Sequence, residues 1–185
     1  HKFHGPKGVG CVYVRSPDAI PPMIFGGHNQ EYGLRGGTEN TAGIVGMGVA
    51  ADLAVNSMSK VQEISWGHRI AFWERVSKKL GNTVHLNGQW IAPSKILNIR
   101  VDGIDADTMV TAMDDCGIYI SAGSACRSKE LQPSHVLTAM GLSLDEARNS
   151  VRISFSSMTT NEEVEEAADV FVGMVELLRS AAYDI

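Results

Sequence analysis

The later half of the chain constrains the fold most, because short β-branched runs there alternate with stretches that carry helix start and stop signals. Ile96-Leu97-Asn98-Ile99-Arg100-Val101 reads as a strand, Asp105 to Asp115 as a helix, and Ile118 to Ile120 as a second strand. Pro133 opens a short helix that Gly141 ends. Ser143 with Glu146 has the spacing of a capping box, and Val151-Arg152-Ile153-Ser154-Phe155 alternates as a strand does. Thr160 with Glu163 is a second capping box, at the head of an acidic helix running to about Arg179. Strands and helices that alternate this way belong to a mixed α and β class.

The first part of the chain reads differently. Val9 to Val14 is a β-branched and aromatic run after the turn Gly5-Pro6-Lys7-Gly8, so a strand is expected. Pro21-Pro22 breaks the next segment, and residues 26–40 form a polar, glycine-rich loop. From Thr41 to about Leu80 the apolar spacing turns helical, with two helices expected to meet near Asn56-Ser57 and a C-cap at Gly81-Asn82. A domain boundary is expected near residues 56–60.

Composition excludes several function classes. Sixteen basic against twenty-one acidic residues leave a net charge of −5, with no basic stripe, so no nucleic-acid partner is expected. No apolar run reads as long enough to span a bilayer, and no secretory signal is visible. Cys11, Cys116 and Cys126 lie far apart without metal-ligand spacing, which suits reduced, intracellular thiols. The six histidines show no zinc pattern, so no metal site is expected. The chain opens at His1-Lys2 without an initiator methionine, and is expected to be the later part of a longer one.

Four places carry possible chemistry. Cys126 sits in Ser121-Ala122-Gly123-Ser124-Ala125-Cys126-Arg127-Ser128-Lys129, small residues on one side and two cations close on the other. That setting favours the thiolate, although an ordinary loop cysteine fits too. Lys2 reads either as a solvated lysine or as a functional amine. In Arg35-Gly36-Gly37-Thr38-Glu39-Asn40, the Thr38 hydroxyl and backbone amides could hold an anion, or Thr38 or Asn40 could simply cap the next helix. Arg152 reads as a surface ion pair or an anion clamp. A cysteine-protease reading with His135 as base for Cys126 finds no support in spacing.

Taken together, the segments resemble the pyridoxal-phosphate-dependent cysteine desulfurases of the NifS/IscS type, in the class V aminotransferase superfamily. The matching stretches are His1 to Gly10, Gly33 to Gly46, Ser124-Ala125-Cys126, Pro133 to Gly141, and Val151-Arg152-Ile153-Ser154 before Thr159 to Glu163. They run in the family's order across nearly the whole chain. The loop from Gly26 to Glu31, which includes His28 and Gln30, is one residue longer than the family's usual form.

The resemblance implies an α/β fold: the C-terminal part of a fold-type I transferase. Residues 1–57 would be the end of the large cofactor domain and residues 58–185 the small α+β domain, with the upstream half absent. Lys2 then matches the lysine that carries pyridoxal 5'-phosphate and moves protons at the substrate carbon. His1 matches a neighbour of the cofactor phosphate, and Thr38 a threonine that reaches that phosphate across a homodimer interface. Arg152 matches the arginine that grips the substrate carboxylate. Cys126 matches the nucleophile that takes sulfur from L-cysteine as a persulfide, releasing L-alanine, and passes it to a sulfur acceptor or iron–sulfur scaffold. A cytoplasmic location is implied, with no membrane or nucleic-acid partner. Two alternatives stand beside this reading: a non-catalytic docking module of the same fold, and a selenocysteine lyase.

Overall fold

The computed structural model describes residues 1–26, 30–89, 94–123 and 134–183. Packing divides the chain into two units, His1–Met58 and Ser59–Ile185.

The second unit is built on one antiparallel sheet. Its strands are β1 (Val84–Leu86), β2 (Ile96–Val101), β3 (Ser121–Ala122) and β4 (Ser150–Ser154), in the spatial order β1-β2-β4-β3. The helices of the chain are α1 (Thr41–Leu80), α2 (Ala106–Asp115), α3 (His135–Ala139), α4 (Leu144–Arg148) and α5 (Asn161–Tyr183). Alternation along β2 and β4 sends Leu97, Ile99, Val101, Val151 and Ile153 to one face, where all are buried. Met109 and Met113 of α2, Phe171 and Val175 of α5, and Phe72 and Val76 of α1 complete that core. Phe72 is its hub, with ring centroids 5.9 Å from Phe155 and 5.7 Å from Phe171. Outside the core, Arg75 of α1 makes a two-pronged pair with Asp169 of α5, at 2.6 and 2.7 Å.

The caps expected from the sequence are present. Asp105 accepts from the N–H groups of Asp107 and Thr108 at the head of α2. Ser143 with Glu146 closes the box on α4, and Thr160 with Glu163 does the same for α5.

Four expectations need correction. Val9–Val14 forms no strand: no segment among the described residues pairs with it, and Val12 and Tyr13 are exposed. The strand expected at Ile118–Ile120 lies instead at Ser121–Ala122, because Gly117 and Ile118 are still tied to the end of α2 through the carbonyls of Asp114 and Met113. Asn56-Ser57 does not divide two helices. α1 runs unbroken through it, and the Ser57 hydroxyl returns to the Leu53 carbonyl at 2.7 Å instead of breaking the ladder. That continuity also corrects the membrane expectation: by length and composition alone, Thr41–Thr83 is long and apolar enough to cross a bilayer.

The first unit has little interior. Among its described residues only Gly36 and Gly43 are buried. Val45, Val49, Leu53, Val55 and Met58 along α1 are all more than half exposed. Gly5 and Pro6 lie against Met47, Ala50 and Gly46 of that helix and anchor the N-terminal turn.

Candidate active site

Lys2 sits in a turn that the His4 amide closes onto the His1 carbonyl at 3.1 Å. His1 and Lys2 are both exposed, and no carboxylate among the described residues lies within ion-pair distance of the Lys2 ammonium. The turn presents the amine without committing it.

The loop before α1 resolves the choice left open by the sequence. Asn40 is the cap: its Oδ1 accepts from the Gly43 N–H at 3.1 Å. Thr38 is exposed, and its hydroxyl makes no hydrogen bond among the described residues. The Arg35 guanidinium donates to the carbonyls of Gly37 and Thr38, at 3.1 and 3.2 Å, and so holds the peptide planes around Thr38. Gln30 Oε1 accepts from the Gly37 N–H at 2.7 Å, which gives this residue of the lengthened loop a structural task. His28 lies outside the described residues. Gly36 is obligatory, since a Cβ there would fall on the Gly26 carbonyl. Gly37 adopts a φ of 99° that side chains resist.

The donor set suits a phosphorylated aldehyde cofactor. A lysine amine, and a threonine hydroxyl on a loop whose carbonyls are already tied back, each without a partner among the described residues, are groups such a molecule needs. A groove of about 420 Å³ in the same unit, lined by Cys11, Met23, Glu31, Arg35, Ile44 and Met47 among others, does not include Lys2 or Thr38.

In the second unit Arg152 occupies the middle of β4, on the face opposite the core. It stands directly opposite Asn98 of β2 on one side and Ser121 of β3 on the other. The residue is half-buried, and no hydrogen bond or ion pair involves its side chain among the described residues. The surface-pair alternative therefore has no partner there. β3 leads directly toward Cys126, which itself falls in residues 124–133, outside the described residues. Cys11 and Cys116 are both exposed.

Sequence reading missed the polar network that flanks Arg152. Asn87, just beyond β1, donates through Nδ2 to Asn98 Oδ1 at 2.7 Å and to Ser150 Oγ at 2.8 Å. Ser150 Oγ in turn donates to the Glu146 carbonyl at 2.6 Å. The alternation of β2 was the signal that puts Asn98 opposite the apolar residues. The register that sets it beside Arg152 is a property of the sheet alone. On the same face Arg100 is paired to Glu146 and Asp102, and His85 Nε2 lies 2.9 Å from Asp102.

Comparison with known proteins follows the same lines. The sequence profile of the aminotransferase class-V family matches residues 1–167. Cysteine desulfurase IscS of Dictyoglomus turgidum is 40% identical over 182 residues, covering 97% of this chain and 45% of that protein. A cysteine desulfurase of Enterobacter agglomerans is 38% identical over 183 residues, with 97% and 44% covered. Among solved structures, a NifS-like protein superposes with a TM-score of 0.77 at 33% identity, covering 96% of this chain and 45% of that one. The chain thus spans about half the length of the curated relatives it matches. On the extent of the profile match and the agreement of the fold, the chain belongs to the class V aminotransferase family.

Proposed function

We propose that this chain is the C-terminal part of a pyridoxal-phosphate-dependent cysteine desulfurase, converting L-cysteine to L-alanine and holding the sulfur as a persulfide on Cys126. The observation that carries the reading is Arg152: a half-buried guanidinium without a partner among the described residues, on the strand that pairs with the segment leading in sequence to Cys126. A planar, two-pronged cation in that position suits a carboxylate.

In this reading residues 1–57 complete a larger cofactor-binding domain, and residues 58–185 form the small domain that brings Arg152 and Cys126. The exposed apolar side of α1 between Val45 and Met58 supports the first assignment, since a surface of that kind asks to be covered. His1 and Thr38 hold the cofactor phosphate, Thr38 from the second subunit of a homodimer, and Lys2 carries the cofactor. Pyridoxal phosphate, when bound, supplies the electron sink for chemistry at the substrate's α-carbon. Lys2 Nζ removes and returns protons there, and Arg152 fixes the carboxylate so that the side-chain sulfur faces Cys126.

The Cys126 thiolate attacks the substrate sulfur. An S–S bond forms as the substrate's Cβ–S bond breaks, the bonding pair passes to carbon, and a proton completes the methyl group of alanine. Protein thiol and L-cysteine go in; protein persulfide and L-alanine come out, with no external oxidant or reductant. The persulfide is then delivered to a sulfur acceptor or iron–sulfur scaffold in the cytoplasm. No observation favours the docking-module or selenocysteine-lyase readings.

The test is product stoichiometry. The cofactor-loaded enzyme containing this chain, given L-cysteine and a thiol reductant, should release alanine and sulfide in equal amounts. Binding without alanine release would overturn the desulfurase reading and leave the docking-module and selenocysteine-lyase readings.

A further inference from the structure

We infer that Asn98 is a second ligand of the substrate carboxylate, donating an amide N–H beside Arg152; this rests on the carboxylate role proposed for Arg152. The inference comes from counting protons in the network on that sheet face. The Ser150 hydroxyl has one proton, and it is committed to the Glu146 carbonyl at 2.6 Å. Toward Asn87 the Ser150 oxygen can therefore only accept, so the Asn87 atom 2.8 Å away must be its NH₂ nitrogen. That same nitrogen is 2.7 Å from Asn98, so the Asn98 atom it meets must be the carbonyl oxygen. The Asn98 amide is thereby fixed in one of its two orientations. Its oxygen meets the Asn87 side chain just beyond β1, and its NH₂ is the group left over for another partner.

The residue directly opposite on β4 is Arg152. Directly paired residues on one face have Cβ atoms about 4.5–5.5 Å apart, within joint reach of one small anion. Both side chains carry N–H donors, the Asn98 oxygen being engaged by Asn87, and neither has an acceptor for those donors among the described residues. Two half-buried donor groups side by side, one of them locked by a relay that ends on the 1%-exposed Ser150, are matched by an acceptor-only group such as a carboxylate. Asn98 is thus a binding residue, and Asn87 and Ser150 are positioning residues.

The experiment is side-chain NMR of the 185-residue chain, labelled with nitrogen-15, during titration with L-alanine and with L-alaninamide, which lacks the carboxylate. The Asn98 NH₂ and Arg152 Nε–H signals should shift together along one saturation curve with L-alanine, and neither should respond to L-alaninamide. Asn98→Leu, with an otherwise unchanged spectrum, should weaken L-alanine roughly tenfold, as expected for loss of one charge-assisted bond. A response of Arg152 alone, or an unchanged affinity in Asn98→Leu, overturns the role of Asn98 and leaves that of Arg152 standing. No response from either residue up to the solubility of L-alanine overturns both.

Discussion

Arg152 concentrates the argument at the scale of the residue. A guanidinium can bind a carboxylate through two parallel bonds, whereas an ammonium of equal charge offers no such fork. In the cofactor-loaded enzyme Arg152→Lys should therefore lower kcat/KM for L-cysteine about ten- to 150-fold, the equivalent of about 1.5–3 kcal/mol. Steady-state kinetics checks this, and unchanged values would return Arg152 to a surface role. Thr38 and Asn40 show where reading residues singly stops. Both are good cap residues, and only the bond from the Gly43 N–H to Asn40 shows which of them does that work. The cysteines show the same limit. Cys11 was expected on a strand and Cys116 beside one, yet Cys11 lies in no strand and both are exposed. Burial therefore gives no ground for expecting Cys11 or Cys116 to be inert, and the distinction from Cys126 must be made by chemistry.

At the scale of the element, the parts legible in the sequence are those with local causes. Capping boxes at Ser143 and Thr160, the Asp105 cap and the glycine ending α1 each depend on residues within a few positions. Strands depend on a partner. Val9–Val14 has the right composition and no partner among the described residues, while Ser121–Ala122 has an unremarkable composition and a partner in β4. Two carboxylates in these elements lie below their ordinary range: Asp169 chiefly through its hydrogen bond from Arg75, and Glu146 chiefly through the Ser143 N–H. A carboxylate with a depressed folded pKa stabilises the fold above its unfolded pKa, and that contribution is lost as pH falls through the folded pKa. The stability difference between wild type and Asp169→Asn should therefore shrink as pH drops below the ordinary carboxylate range. Urea midpoints measured across acid pH check it; a difference that stays constant would contradict the linkage.

At the scale of the whole molecule, the order of motifs along the chain made the family legible, because that order survives without knowledge of any contact. The sheet order β1-β2-β4-β3 and the pairing of Asn98 with Arg152 were not legible, since both depend on which separate segments pair, and Asn98 and Arg152 lie more than fifty positions apart. The two units also differ in how they are held. The second has the Phe72 core, while the first buries only Gly36 and Gly43 among its described residues. Lys2 and Thr38 thus stand on a frame with little packing of its own. The 185-residue chain alone should bind pyridoxal phosphate weakly and lose it on desalting. A stoichiometric visible absorption band that survives desalting would contradict this. The central claim is that Cys126 carries the transferred sulfur, and mass spectrometry of the cofactor-loaded enzyme after incubation with L-cysteine tests it most directly. The account predicts one added sulfur on the peptide containing Cys126, with loss of both persulfide and alanine release in Cys126→Ser. A persulfide on Cys11 or Cys116 with Cys126 unmodified would contradict it.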